Sequence, residues 1–152
     1  MSTGTITDLN ELTSDSHLSE GLRNRILLVE SDIQTADELA HLLEQLGYNV
    51  GLASDAKTAL LHLGDFAPNL VVTDTYLSDM SGYEFTQILR GAPQYTARYR
   101  HIGMLYVTDR RKLIKHRMVS QPEVPMTQYI FKPLNEKEIE EKISKAMHES
   151  IV

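Results

Sequence analysis

Four polar side chains stand directly after four short, mainly apolar runs of this chain, and their types suit phosphoryl chemistry. A carboxylate can attack phosphorus as a nucleophile or, together with a second carboxylate, hold a magnesium ion. An ammonium group and a hydroxyl group can bind the remaining phosphoryl oxygens. The four side chains are Glu30, Asp74, Thr108 and Lys132.

The runs that precede these residues indicate the elements that position them. Residues 26–29, 70–73, 104–107 and 129–131 have the length and apolar character of strands buried on both faces of a parallel sheet. Open parallel sheets gather their ligands at the carboxyl ends of the strands. The sequence therefore predicts that the four polar side chains share one pocket.

Helical patterns alternate with these runs. Apolar stripes predict helices over 32–46 and 55–63, with a second strand at 48–53 between them. Capping-box patterns that begin at Ser81 and Asn135 predict a third helix and a final one. The alternation predicts an α/β fold, a doubly wound five-stranded parallel sheet with helices on both faces.

Composition limits the class of function. At 152 residues and 17.2 kDa, the chain can bury one core, so we expect one domain. A net charge of −6 argues against a general binder of nucleic acid or of membrane surfaces. Without cysteine there is no disulfide framework, and no apolar stretch is long enough for a membrane span or a signal peptide. A cytoplasmic location is expected.

The N-terminal segment differs in composition from the rest. Residues 1–24 are rich in Ser, Thr and Asp, which predicts a flexible tail before a domain at 25–150. The alternative is a short docking helix that uses Ile6, Leu9 and Leu12 at near-helical spacing.

The order of the site residues, acid, acid, Thr and Lys-Pro, resembles the receiver domain of two-component response regulators. The resemblance covers 25 to about 149 and includes Gly82, which matches a glycine that the family has after its phosphoacceptor. It implies a flavodoxin-like fold of receiver type and a stand-alone signalling domain, not an enzyme.

The resemblance also implies a role for each site residue. Asp74 would be the phosphoacceptor, assisted by Thr108 and Lys132. Glu30, Asp74 and the backbone carbonyl of Tyr76 would bind Mg²⁺. The residues of the conformational switch would be Thr108 and Tyr129. A sensor histidine kinase or a phosphotransfer protein would be the phosphodonor.

Two positions close to the predicted site depart from the family pattern. Ser31 stands where the family usually has a second metal-binding acid, and Ser78 replaces a proline. Ser31 could instead cap the following helix, leaving a weaker magnesium site. The alternative function is a pseudo-receiver, a protein-interaction module that works without phosphorylation.

The same residues allow other interpretations. Glu30 could cap a helix, Asp74 could start a turn and Lys132 could pair with either. The haloacid-dehalogenase phosphatases would need a second Asp at Tyr76, and a flavodoxin phosphate loop would be repelled by the acids near Ser31.

Output is expected through a protein partner, because no effector domain follows the final helix. The routes are binding of an unknown downstream protein, phosphorelay, or a homodimer. A basic segment over 110–117 could dock an acidic partner or nucleic acid, although an exposed charged helix face explains it more simply. We expect no direct binding of nucleic acid or membrane.

Overall fold

The computed structural model describes residues 4–9, 24–91, 98–109 and 124–151. The predictions for the basic segment over 110–117, for Leu12 and for the rest of 10–23 lie outside these residues. Within the described ranges, no helix combines the length and the apolar character needed to cross a membrane.

The described residues form one parallel sheet flanked by helices. The strands are β1 (Ile6–Asp8), β2 (Arg25–Val29), β3 (Asn49–Ala53), β4 (Leu70–Asp74), β5 (Gly103–Thr108) and β6 (Tyr129–Phe131). The helices are α1 (Ile33–Gln45), α2 (Ala56–Leu61), α3 (Leu63–Phe66), α4 (Gly82–Gly91) and α5 (Glu136–Ile151), with a 3₁₀ turn at Met126–Gln128. The strand order is β1-β3-β2-β4-β5-β6.

Alternate side chains of the strands build two cores, one on each face of the sheet. Leu27 and Val71 point to the face covered by α2, α3 and α4. Leu28 and Val72 point to the opposite face, which α1 and α5 cover. Successive side chains of a strand point to opposite faces, so continuous apolar runs suit a sheet that is covered on both sides. The doubly wound fold predicted from the sequence is confirmed.

The sheet has six strands, not the predicted five, because the N-terminal segment contributes β1. β1 pairs in parallel with β3, with Ile6 opposite Val50, and Leu9 is fully buried in the core beneath α2 and α3. Both the side chain and the amide of Thr5 donate hydrogen bonds to Asn49 Oδ1, at 2.9 and 3.0 Å. Residues 4–9 are therefore neither a flexible tail nor a docking helix.

The starts of α2, α4 and α5 and the end of α1 follow from local chemistry, whereas the helix predicted over 55–63 is divided into α2 and α3. Asp55 caps α2 by accepting a 2.8 Å hydrogen bond from the Thr58 amide. Ser81 and Asn135 accept the corresponding bonds at the starts of α4 and α5, at 3.0 and 2.9 Å. Gly47 follows α1 with a φ of 100°, a left-handed conformation that glycine adopts without strain.

The order of the strands fixes where a site can form. From β2 the chain moves outward to β3, and then crosses to β4 on the other side of β2. The topological switch point lies between β2 and β4, where the connections leave in opposite directions and open a crevice at the carboxyl ends of the strands. Glu30 and Asp74 lie at this crevice.

Candidate phosphoacceptor site

Asp74 is the last residue of β4, a strand that is buried along its whole length. Its side chain is held from two sides. The Tyr76 amide donates a 2.8 Å hydrogen bond to Asp74 Oδ1, and Lys132 Nζ lies 3.5 Å from Asp74 Oδ2. The carboxylate thus has a fixed orientation and a cation beside it, although the residue is only 4% exposed.

Glu30 follows β2 and is 3% exposed. Its Oε2 accepts a 3.2 Å hydrogen bond from the Asp32 amide, whereas its buried Oε1 has no hydrogen-bond partner among the described residues. Burial raises the pKa of Glu30 to about 8, and the Asp74 carboxylate adds to this shift through hydrogen bonding and charge. The Asp32 amide and Lys132 act in the opposite direction. The two carboxyl groups of Glu30 and Asp74 therefore carry more potential negative charge than the single Lys132 ammonium group offsets.

Thr108 and Lys132 come from the two strands beyond β4. Thr108 ends β5, one residue after Val107, which pairs with Asp74. Lys132 follows β6 and precedes a cis peptide bond to Pro133, and its amide donates a 2.9 Å hydrogen bond to the Thr108 carbonyl. The ends of β5 and β6 are thus joined at the same edge of the sheet as Asp74.

The acidic pocket fits a hard divalent cation such as Mg²⁺. The unpaired Glu30 Oε1 is a buried acceptor, and carboxylate oxygens are the ligands that magnesium prefers. Among the described residues, no three His, Cys, Asp or Glu side chains cluster. A bound ion would therefore take two carboxylates, from Glu30 and Asp74, and complete its coordination with water and a backbone oxygen such as that of Tyr76.

Ser31 does not cap the helix that follows it. The N-cap of α1 is Asp32, whose carboxylate accepts a 2.9 Å hydrogen bond from the Thr35 amide. Ser31 Oγ instead donates to the Ser54 carbonyl at 2.6 Å and accepts from the Ser78 amide at 2.9 Å. It therefore connects the loops after β2, β3 and β4.

The two departures from the family pattern are in contact with each other. Ser78 donates its amide proton to Ser31, and a proline at position 78 has no such proton. Sequence reasoning noted both residues but not their contact. The contact could have been predicted from the positions of the two residues, since both lie in loops at the same edge of the sheet.

Further contacts of the loop after Asp74 were not predicted. Asp79 accepts hydrogen bonds from the Ala56 and Lys57 amides at the start of α2, at 3.1 and 2.9 Å. A Cβ at Gly82 would lie 2.3 Å from the Asp74 carbonyl oxygen, so this close approach of α4 to β4 needs glycine. These contacts fix the loop on both sides of the pocket.

Tyr129 lies within the core and is 2% exposed. Its hydroxyl is 2.5 Å from that of Tyr83, in the first turn of α4, and its ring packs against those of Tyr106 and Phe131. The predicted switch residue thus contacts the helix that follows the Asp74 loop. Tyr83 was not singled out from the sequence.

Most of the chain matches one known protein family. The model of the response regulator receiver domain matches residues 26–144. The chain belongs to this family. As a receiver domain, it is a signalling module of the two-component type.

Known relatives agree with this assignment. The DNA-binding response regulator MtrA of Mycobacterium tuberculosis is 32% identical over 69 residues, which cover 45% of this chain and 30% of MtrA. The chain matches only about a tenth to a third of the length of such curated relatives.

Solved structures show the same fold at lower identity. The chemotaxis response regulator CheY4 of Vibrio cholerae is 22% identical with a TM-score of 0.64, covering 80% of this chain and 97% of CheY4. A sensor protein from Polaromonas sp. JS666 is 23% identical with a TM-score of 0.70, covering 84% of this chain and 98% of that protein.

Proposed function

We propose that this receiver domain accepts a phosphoryl group on Asp74 in a magnesium-dependent step and passes the change to a protein partner. The observation that carries the proposal is the side-chain arrangement at the switch point. There a buried Asp74 carboxylate lies 3.5 Å from Lys132 Nζ and next to the acidic Glu30.

Each site residue has a role that its position supports. Asp74 forms an O–P bond as the bond between phosphorus and the donor breaks. Lys132 offsets charge on the phosphoryl oxygens, and the Thr108 hydroxyl donates a hydrogen bond to one of them. Glu30, Asp74 and the Tyr76 carbonyl would hold Mg²⁺, which would supply positive charge to offset that of the phosphoryl group.

The partners follow from the same chemistry. The phosphodonor is a sensor histidine kinase or a phosphotransfer protein, and the output is a protein contact or a homodimer. Thr108 and Tyr129 carry the change outward, because Tyr129 contacts Tyr83 at the start of the helix after the Asp74 loop.

The alternative function is a pseudo-receiver that binds its partner without phosphorylation. The contact between Ser31 and Ser78 favours it, because a neutral hydroxyl group occupies a position where the family usually has a carboxylate.

One experiment separates the two functions. The protein is incubated with Mg²⁺ and acetyl phosphate, and the intact chain is weighed by mass spectrometry. We expect a phosphoryl adduct that is absent in Asp74→Ala. The control Asp65→Asn, which changes an exposed carboxylate of α3 that faces His62, keeps the adduct. A wild-type protein without an adduct contradicts the proposal and favours the pseudo-receiver.

A further inference from the structure

Thr75, directly after the phosphoacceptor, is a buried polar residue whose backbone is fixed on both sides. Its exposed fraction is 0%. Its amide donates a 3.2 Å hydrogen bond to the Val107 carbonyl, and its own carbonyl accepts a 2.9 Å bond from the Gly82 amide. The Thr75 side chain therefore has little freedom to change its position relative to β5.

The hydroxyl group of Thr75 is directed at Thr108. Thr75 Oγ1 donates a 3.1 Å hydrogen bond to Thr108 Oγ1, and Thr108 is itself 1% exposed. A hydroxyl group has one proton, so Thr108 keeps its own proton for a different acceptor. That acceptor is the Asp109 carbonyl at 3.3 Å, a distance longer than is usual between two oxygen atoms in a hydrogen bond.

We propose that Thr75 is a positioning residue, which holds the Thr108 oxygen and leaves the Thr108 proton available for a phosphoryl oxygen on Asp74. The inference rests on the proposed function. When a phosphoryl group is present, Thr108 exchanges a long contact with a neutral carbonyl for a charge-assisted hydrogen bond, which is stronger. The bond from Thr75 persists and polarises the Thr108 hydroxyl, because hydrogen bonds in a chain reinforce one another.

Packing alone gives a different expectation. If Thr75 only fills space between β4 and β5, valine serves equally well, because it has nearly the same shape and no hydroxyl group. If Thr75 orients Thr108, serine serves better than valine, because serine keeps the donor.

The experiment measures the rate at which acetyl phosphate and Mg²⁺ produce the Asp74 adduct. We expect Thr75→Val to slow adduct formation about three- to tenfold, the effect of one lost hydrogen bond. Thr75→Ser should restore the rate to within about twofold of the wild type. In a Thr108→Val background, Thr75→Val should have no further effect, because the hydroxyl that it orients is gone.

The outcomes separate the two claims. A wild-type rate in Thr75→Val, or an equal loss in the Thr108→Val background, overturns the positioning role while the proposed function stands. If the wild type forms no Asp74-dependent adduct, the proposed function fails and the positioning role fails with it. Thermal unfolding checks that each variant folds. If Thr75→Val does not fold, the comparison of Thr75→Ala with Thr75→Ser makes the same test.

Discussion

At residue 31 a neutral hydroxyl group connects three loops at a position where the receiver family usually has a second carboxylate. Ser31 forms hydrogen bonds with the Ser54 carbonyl and the Ser78 amide. These bonds hold together loops that a metal ion bound at this position would otherwise connect. The loss of negative charge lowers the attraction for a cation. The pocket therefore has loops joined by hydrogen bonds through Ser31, and one carboxylate fewer than the family usually has.

Replacing Ser31 by Asp should tighten magnesium binding about tenfold, because a third carboxylate joins Glu30 and Asp74. The same change should lower the melting temperature without Mg²⁺, since like charges then lie close together. Calorimetric titration and thermal unfolding measure the two effects. Ser31→Ala is the control, because it removes the hydroxyl contacts without adding charge. Equal magnesium affinity in Ser31→Asp and the wild type would contradict this pocket geometry.

The raised pKa of Glu30 predicts a dependence of stability on pH. The folded protein binds this proton with a pKa of about 8, whereas the ordinary value is 4.5. The folded state therefore holds a proton that the unfolded state has lost, and the free energy of unfolding falls as pH rises from 4.5 to about 8. The contribution is fully present below 4.5 and lost above about 8.

Urea unfolding across this pH range measures the effect, with Glu30→Gln as the control that removes the titrating group. The decrease in the free energy of unfolding that is due to Glu30 should be absent from Glu30→Gln. Because Mg²⁺ needs the ionised carboxylate, magnesium affinity of the wild type should rise over the same range. Identical pH dependence in the two proteins would show that Glu30 titrates normally.

The end of β4 and the start of α4 are in close contact, which constrains the position of the site. The Gly82 amide donates a hydrogen bond to the Thr75 carbonyl, and the Asp74 carbonyl oxygen lies 2.3 Å from the position that a Cβ of residue 82 would take. Any side chain there must move α4 away from the strand that ends in Asp74.

Gly82→Ala should therefore lower the free energy of unfolding by about 1–3 kcal/mol through overpacking. Gly91→Ala, at the other end of the same helix, is the matched control, because no atom of the described residues lies within 4 Å of a Cβ added there. Gly91→Ala should leave the free energy of unfolding unchanged or raise it by up to about 1 kcal/mol. Urea unfolding of both variants makes the comparison, and similar stabilities would contradict the close approach.

The sequence predicts elements well where their own residues carry the signal. The strands that lead to Glu30 and Asp74 contain continuous apolar runs, and the caps at Asp55 and Ser81 are local hydrogen bonds. The contact between Ser31 and Ser78 joins two loops far apart in the chain, and no local pattern encodes it. The same holds for pairs such as Tyr83 and Tyr129, which meet only through the packing of α4 on the sheet.

The strand β1 was not predicted from the sequence. β1 has three residues, too few to show a periodic pattern, and its order depends on pairing with β3. Its anchors are the bonds from Thr5 to Asn49 and the full burial of Leu9. A short strand of this kind is specified by its partner, not by its own composition.

Leu9→Ala should lower the free energy of unfolding by about 2–5 kcal/mol, the usual cost of truncating a fully buried leucine. Ile6→Ala is the control from the same segment, because the Ile6 side chain is 36% exposed and should cost much less. Chemical denaturation measures both. If the two variants unfold alike, Leu9 does not occupy the core and β1 is not an integral strand.

β1 also bears on how the molecule behaves in concentrated solution. Without β1, the outermost strand on that side would be β3, whose five residues carry no charge and whose backbone groups could pair with another chain. With β1 in place, the outermost strand is shorter and ends in the charged Asp8. Short, charged edge strands resist edge-to-edge aggregation. β1 thus gives this side of the sheet the kind of edge that disfavours pairing with another chain, a property separate from signalling.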